Sequence, residues 1–152
     1  MNPAILVLAA GSLAQVMARL DHEFTCHHLW RVAAPQQDSL LRQVAPEVRG
    51  VFTTGTVGIT AAQVELLPAL EIVVVHGIGV DAVDLDATRL RGIKVTNTPG
   101  VLTDDVADLA LALLLASGRR LPAMDRYVRS GAWKAKAPST FRSSTSTRRC
   151  LT

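Results

Sequence analysis

The sequence lacks the features that mark membrane, secreted and disulfide-rich proteins. Its longest unbroken apolar run, residues 109–116, is too short to cross a bilayer. Residues 1–4 carry no basic segment of the kind that opens a secretory signal. There are only two cysteines, Cys26 and Cys150, and their spacing indicates neither a disulfide nor a metal site. We therefore expect a protein of the reducing cytoplasm with no membrane partner.

Acidic residues are absent from one part of the chain. From residue 134 onward there are five basic residues and no acidic one, which is more than the whole net charge of +3. The rest of the chain is slightly acidic, so the basic pI of 9.3 is a property of this segment. Such a pI is weak support for nucleic-acid binding, and we expect no nucleic-acid partner. With 49% apolar and 19% charged residues over 152 positions, the composition predicts a folded domain with a core.

Apolar strand patterns alternate with helical patterns through the first hundred residues. The predicted strands are residues 4–9, 24–29, 50–54, 72–75 and 93–95. The predicted helices are residues 13–20, 35–45, a short helix capped by Thr60, and 85–91; Ser12 and Asp84 cap two of them and Gly92 ends the last. This alternation demands parallel strands joined by helical crossovers. We predict an α/β fold with a flavodoxin-like, doubly wound parallel sheet.

Two loops are expected at the carboxyl ends of neighbouring strands, where such sheets bind ligands. They are residues 53–56 and residues 76–79. Gly77 and Gly79 allow main-chain dihedral angles that are closed to other residues, and successive amides there can form a concave site for a carboxylate or a phosphate. The alternative is a tight strand-to-helix turn that binds nothing.

Residues 77–82 also fit the G-x-G-x-x-G/A pattern of dinucleotide-binding loops. Against this interpretation, the helix that follows is short. The next strand leads into Thr96, Asn97 and Thr98, with no acidic residue to bind a ribose hydroxyl.

The histidines give weaker signals. His76 lies at the mouth of the second loop and is a candidate substrate contact, although a lone histidine at a strand end is more often packed or solvated. His27 and His28 are adjacent on a strand, so they point to opposite faces and do not form a paired metal site.

A long apolar helix is predicted over residues 103–121. It follows a bend made by Pro99, whose φ is fixed, and Gly100, whose main chain is flexible. Thr103 is its expected cap, and Arg119 and Arg120 suit its negative end. Apolar residues extend around most of the helix, which predicts burial on more than one side. A position between two domains or two subunits would explain this, and so would an ordinary central core helix.

Four segments of the chain together resemble a known family. Residues 76–84 (HGIGVDAVD), 91–100 (RGIKVTNTPG), 101–110 (VLTDDVADLA) and 129–134 (RSGAWK) are similar to the D-isomer-specific 2-hydroxyacid dehydrogenases. Within that family, residues 102–108 (LTDDVAD) most resemble the glyoxylate/hydroxypyruvate reductases. The resemblance covers about residues 5–136, and the four motifs occur in order at the family's spacing.

The resemblance implies an NAD- or NADP-dependent enzyme that reduces a small 2-oxoacid to a 2-hydroxyacid. Residues 1–98 would be its substrate-binding domain, and residues 99–136 would be the hinge and first helices of its nucleotide-binding domain. The implied substrate contacts are Thr54, Gly55, His76, Gly77, Ile78 and Gly79. Ile78 and Val106 would lie near the nicotinamide, and the full-length protein would be a homodimer.

The sequence departs from the family after residue 136. The Rossmann glycine loop and the catalytic arginine, glutamate and histidine that the family would place there are not found, so no catalytic residue is assigned. Residues 137–152 have no apolar period, and we expect a disordered, frameshifted or truncated segment, with a natural basic tail as the alternative. The chain alone is expected to be inactive. The competing hypothesis is a non-enzymatic flavodoxin-like interaction module that docks through its long helix.

Overall fold

The computed structural model describes residues 2–10 and 14–135 and divides the chain into two compact units. The first unit is Met1–Val101 and the second is Leu102–Thr152. The expected division into a substrate-binding domain (residues 1–98) and the start of a nucleotide-binding domain (residues 99–136) assigns a function to each part. This division stays a prediction. The expected cap at Ser12 and the expected disorder of residues 137–152 lie outside the described residues.

Five parallel strands form the first unit, which confirms the predicted α/β sheet. They lie in the order β2-β1-β3-β4-β5, the order found in flavodoxin-like proteins. The strands are β1 (Ala4–Val7), β2 (Thr25–His28), β3 (Val48–Thr54), β4 (Ile72–His76) and β5 (Lys94–Thr96). All four pairings are parallel, so every strand ends at the same edge of the sheet.

Helices occupy the connections between the strands. They are α1 (Ala14–Glu23), α2 (Ala34–Val44), α3 (Ala61–Leu66) and α4 (Leu85–Leu90), and a 3-10 turn (Leu29–Arg31) follows β2. Two predicted caps are confirmed: the amide of Gln63 donates to the Thr60 hydroxyl at 3.3 Å, and the amide of Ala87 donates to the Asp84 carboxylate at 2.9 Å.

The two faces of the sheet bury two separate apolar clusters, because successive side chains of a strand point to opposite faces. The larger cluster packs the sheet against α2 and α3 and includes Leu6, Val51, Val73, Val75, Leu41, Val44, Val64 and Leu67. The smaller packs it against α1 and consists of Ile5, Val7, Phe52 and Met17. Full burial of one such side chain contributes about 1.5–3 kcal/mol, so these two layers hold the unit together.

An arginine joins the ends of α3 and α4. The guanidinium of Arg91, directly after α4, donates to the carbonyls of Leu67 and Pro68 at 3.0 and 2.9 Å, and also to that of Val64. These carbonyls lie at the end of α3, where a helix leaves acceptors without internal partners. Gly92 then reverses the chain with φ +67°, the left-handed conformation expected after a helix.

The second unit contains α5 (Thr103–Gly118) and α6 (Leu121–Arg129). Two predictions about the ends of α5 are wrong. Thr103 is the first helical residue and Leu102 precedes it without a side-chain cap. The helix stops at Gly118, because Arg120 adopts the left-handed conformation with φ 53° and a new helix begins, which the sequence analysis did not predict.

One alternative for α5, an ordinary core helix, is wrong. No residue of α5 is buried among the described residues, and its leucines are between 54% and 60% exposed. The other alternative, a position between two domains or two subunits, stays a prediction, because the covering surface would come from outside the described residues.

The remaining differences are shifts of element ends. β1 stops at Val7, and β2 begins at Thr25 and ends at His28, before the 3-10 turn. β3 starts at Val48, two residues earlier than predicted, because Val48 pairs with Ala4 before an irregularity in the register. Ends fray and propensity changes gradually there, so they are the least predictable part of an element.

Candidate functional site

The carboxyl ends of β3 and β4 bring together the two loops that the sequence analysis singled out. Thr54 and His76 are the last residues of these strands and lie opposite each other in the parallel register. The loops that follow therefore leave the sheet side by side. The candidate residues Thr54, Gly55 and His76–Gly79 form one continuous group; their role stays a prediction.

Close contact between the loops requires glycine at Gly55. A β-carbon at Gly55 would stand 2.6 Å from the carbonyl oxygen of Gly79, closer than nonbonded atoms approach. Gly77 has φ +143°, a main-chain conformation that residues with a side chain rarely adopt. Lack of space therefore explains the glycine at Gly55, and main-chain conformation explains the one at Gly77. Both reasons hold whether or not a ligand binds.

The direction of two amides in the second loop follows from their neighbours. The carbonyl of Gly77 accepts a hydrogen bond from the amide of Thr98 at 3.0 Å, and the carbonyl of Ile78 accepts one from Asn97 Nδ2 at 2.8 Å. In a planar trans peptide the N–H points opposite to the C=O. The N–H groups of Ile78 and Gly79 therefore both point away from the Asn97–Thr98 side.

These two amides are available to a ligand. Within the described part of the chain, neither the Ile78 nor the Gly79 amide donates a hydrogen bond. The Ile78 side chain is 65% exposed, so the loop is at the surface. Two neighbouring N–H groups with a common direction can bind one carboxylate. This arrangement is the one expected of an anion site.

The first loop holds itself in a tight turn. The amide of Gly58 donates to the carbonyl of Thr54 at 2.9 Å, and the amide of Val57 donates to the Thr54 hydroxyl at 3.3 Å. The hydroxyls of Thr54 and Thr56 are 3.2 Å apart. The Thr54 side chain therefore stabilises its own loop, and a ligand would have to share its hydroxyl.

His76 is half-buried at the end of β4. Its ring centroid lies 6.0 Å from that of Phe52, with the planes tilted by 50°. The ring therefore packs against an apolar side chain, as is common for a lone histidine at a strand end. It also lies next to the amides of the second loop.

The dinucleotide interpretation of residues 77–82 is not supported by the geometry. In such loops a helix begins within the glycine motif, so that its first amides face the pyrophosphate. Here the next helix begins at Leu85 and has only six residues. The carbonyl of Ala82 is instead bonded to the amide of Ile59 at 3.1 Å, which fixes the motif's end against the preceding loop.

Val106, the other residue assigned to the cofactor, belongs to the second unit. It lies in the first turns of α5 and is 62% exposed. Its assignment stays a prediction.

Asn97, Thr98 and Asp81 are the residues of this site that the sequence analysis missed. The sequence analysis mentioned Asn97 and Thr98 only because neither is an acidic residue that could bind a ribose. In the structure they donate the hydrogen bonds that orient the Gly77 and Ile78 carbonyls. A carboxylate oxygen of Asp81 is 3.2 Å from the position that a β-carbon of Gly79 would take. An amide side chain shortly after a strand is the signal that could have indicated the first of these contacts.

Two surface cavities lie outside the two loops, and one of them shares Asn97 with the site. One, of about 340 Å³, is lined by Val80, Leu85, Thr88, Arg89, Ile93, Val95, Thr96 and Asn97. The other, of about 320 Å³, lies near His27 and Glu47. Among the helices of the described residues, none has the length and apolar character needed to span a membrane.

Comparisons with known proteins agree on one family. The family model described as "D-isomer specific 2-hydroxyacid dehydrogenase, catalytic domain" matches residues 5–151. A hydroxyphenylpyruvate reductase from Plectranthus scutellarioides is 45% identical over 115 residues, which cover 76% of this chain and 36% of the relative. The chain thus spans little more than a third of the length of this curated relative.

Solved structures give the same result. A 2-hydroxyacid dehydrogenase from Ketogulonicigenium vulgare Y25 superposes with a TM-score of 0.86 at 40% identity, over 93% of this chain and 44% of that one. An NADPH-dependent glyoxylate/hydroxypyruvate reductase from Sinorhizobium meliloti, in complex with NADP and malonate, gives a TM-score of 0.69 at 32% identity, over 93% and 42%. Since the family match extends over nearly the whole sequence and the fold agrees with it, this chain belongs to the D-isomer specific 2-hydroxyacid dehydrogenases.

Proposed function

We propose that this chain supplies the substrate-binding part of an NAD- or NADP-dependent reductase of small 2-oxoacids, of the glyoxylate/hydroxypyruvate type. The observation that carries the proposal is the pair of unused, similarly directed amides at Ile78 and Gly79. Membership of the dehydrogenase family supplies the reaction class. The glyoxylate/hydroxypyruvate reductase from Sinorhizobium meliloti, which was crystallised with NADP and malonate, supports the substrate and cofactor classes.

The substrate carboxylate would accept hydrogen bonds from the two amides. Hydrogen bonds to a charged group contribute about 1.5–3 kcal/mol each, so two of them suffice for weak but specific binding. The loop of Thr54 and Gly55, which touches Gly79, would border the bound acid. His76 would stand beside it at the end of β4.

The cofactor fits this group of residues only in part. The exposed apolar side chain of Ile78 is suited to an uncharged ring, and Val106 of the second unit offers a similar surface. The described residues contain no strand, glycine loop and long helix suited to a pyrophosphate. When bound, a reduced nicotinamide supplies a hydride to the carbonyl carbon. This chain's own contribution would be to hold and orient the 2-oxoacid.

We expect the chain alone to catalyse no measurable reduction, because the family's catalytic arginine and histidine are not assigned to any residue of it. The test follows NADPH and NADH oxidation by the pure protein with glyoxylate and with hydroxypyruvate. Turnover that rises in proportion to protein concentration would contradict this expectation.

Binding is tested separately from turnover. Glyoxylate is titrated into isotope-labelled protein, and the amide resonances of the two loops are followed by NMR. We expect saturable shifts at Gly55, Ile78 and Gly79, and none with hydroxyacetone, which is similar in size but uncharged. Shifts confined to residues outside the two loops, or equal shifts with both compounds, would sink the proposed site.

The exposed leucines of α5 favour a second candidate, a non-enzymatic interaction module. Under this hypothesis the pure chain self-associates or binds a partner through α5 and shows no glyoxylate-dependent shifts. Sedimentation together with the NMR titration separates the two functions. For the whole protein we propose a cytoplasmic homodimer with no nucleic-acid partner, and sedimentation of that whole protein tests the dimer.

A further inference from the structure

Three side chains with metal-binding atoms meet at the edge of the sheet formed by β2. Asp21, Cys26 and His28 each offer one such atom, and these atoms all lie within 4.8 Å of one another. Asp21 Oδ1 and His28 Nε2 are 2.7 Å apart. The sequence analysis found no metal spacing because the third member, Asp21, comes from α1.

The fold explains why they meet. Cys26 and His28 are two residues apart on β2, so their side chains share one face of the sheet. α1 covers that face, with Met17 and Leu20 packed in the same cluster as Cys26. His27 points to the opposite face, where its Nε2 lies 3.1 Å from Glu47. The predicted division of the two histidines between faces is therefore confirmed, and it leaves His28 with Asp21 and Cys26.

The three groups interact with one another. Burial, and then the hydrogen bond and charge of Asp21, raise the pKa of Cys26 to about 11. The hydrogen bond with His28 lowers the pKa of Asp21. Asp21 therefore interacts with both of the other groups.

The surroundings contain one opposing charge. Arg31 lies close enough to lower the pKa of Asp21, but its guanidinium stacks on the Trp30 ring at 4.9 Å. Among the described residues, His28 Nδ1 is buried without a hydrogen-bond partner, so the ring is held by the hydrogen bond at Nε2 and by its edge-on contact with Trp30. His28 is 12% exposed at its side chain and Asp21 is 42% exposed, which leaves one open side for entry.

We propose that Asp21, Cys26 and His28 bind Zn²⁺ through one carboxylate oxygen, Sγ and an imidazole nitrogen, with water as the fourth ligand. Zinc prefers this mixture of nitrogen, sulfur and oxygen donors in tetrahedral geometry. In that geometry ligand atoms are about 3.3–3.8 Å apart. Asp21 Oδ1 and His28 Nε2, which are 2.7 Å apart, must separate slightly, and no other pair has to approach by more than about 1 Å, since all lie within 4.8 Å. Binding releases the thiol proton of Cys26 to solvent and requires a neutral His28 whose ring proton moves from Nε2 to Nδ1, so that Nε2 can bind the metal. The bound ion then ties α1 to the edge strand.

The test uses the full chain carrying Cys150→Ser, which leaves Cys26 as its sole thiol. Cobalt(II) is added as a spectroscopic substitute for zinc, and zinc affinity is measured by competition with a chelating dye. We expect one equivalent of cobalt to produce a thiolate-to-metal charge-transfer band, which zinc then abolishes. A protein without this band overturns the proposal, whether or not it binds cobalt elsewhere.

Variants then assign the ligands. Cys26→Ser, His28→Gln and Asp21→Asn should each weaken zinc binding at least about tenfold, as loss of a metal ligand does. The matched controls His27→Gln and His22→Gln remove neighbouring imidazoles and should leave the affinity unchanged. Circular dichroism checks that each variant is folded. Equal zinc affinity in folded wild type and His28→Gln would also overturn the proposal.

Discussion

Gly55 and Gly79 touch across the two loops at the carboxyl edge of the sheet, with the carbonyl oxygen of Gly79 only 2.6 Å from the point that a β-carbon on Gly55 would occupy. The two loops are therefore one structural unit. The position of the Gly79 amide depends on the absence of a side chain at residue 55. The proposed binding of a carboxylate by this amide depends on it as well.

Gly55→Ala should push the loops apart. We expect it to lower the free energy of unfolding by about 1–3 kcal/mol, the usual cost of overpacking. Glyoxylate binding should weaken about tenfold or more, since one charged hydrogen bond is worth about 1.5–3 kcal/mol. Urea unfolding and the NMR titration measure the two effects.

The control is Gly92→Ala, at a glycine with φ +67° and open space where a β-carbon would stand. It should cost about 1–2 kcal/mol through backbone strain alone and leave glyoxylate affinity unchanged. Equal loss of affinity in both variants would show that stability, and not the contact between loops, governs binding.

Asp81→Asn should strengthen carboxylate binding. The Asp81 carboxylate lies near Gly79 and repels an anion on the loop amides. Exposed charges interact by well under about 1 kcal/mol, so the expected gain is about two- to threefold, and it should shrink as salt is added. Asp86→Asn, which removes the same charge from the exposed face of α4, is the control and should have no effect. A Kd that is unchanged at low salt in Asp81→Asn would contradict the placement of the anion.

Arg91→Lys should destabilise the first unit by about 1–3 kcal/mol. A lysine cannot reproduce the guanidinium fork that donates to three carbonyls at the end of α3. Arg89→Lys is the matched control, because Arg89 is exposed and its nearest acidic partner, Asp86, is 3.9 Å away. The control should stay within about 0.5 kcal/mol of wild type. Urea unfolding measures the stability of both variants. Equal stability of Arg91→Lys and Arg89→Lys would argue against this role for Arg91.

Cys26 should react slowly with iodoacetamide when no metal is present. Burial and Asp21 raise its pKa from 9.0 to about 11, so the thiolate fraction near pH 8 is about a hundredfold below that of an ordinary thiol. The rate should rise with pH up to about 11. Asp21→Asn removes a cause of the raised pKa, so its pH–rate profile should move to lower pH. The measurement uses Cys150→Ser protein, and a profile unaffected by Asp21→Asn would refute the coupling of the two groups.

Local sequence signals predicted much of the first unit. The sequence predicted the strand at residues 72–75, the caps at Thr60 and Asp84 and the helix end at Gly92 correctly, because each depends on neighbours within a few residues. The same holds for the doubly wound sheet, because alternating strands and helices leave few other topologies. The family followed from four short motifs.

Only the tertiary structure decided which distant residues meet. Asn97 orients the Ile78 peptide, Gly55 makes room for Gly79, and Asp21 reaches Cys26 and His28, all across separate elements. It also decided between the alternatives for α5, because no described residue of this helix is buried within the chain. The physical reason is range: helix and strand preferences are set by neighbours along the chain, whereas contacts and burial depend on surfaces that other segments provide.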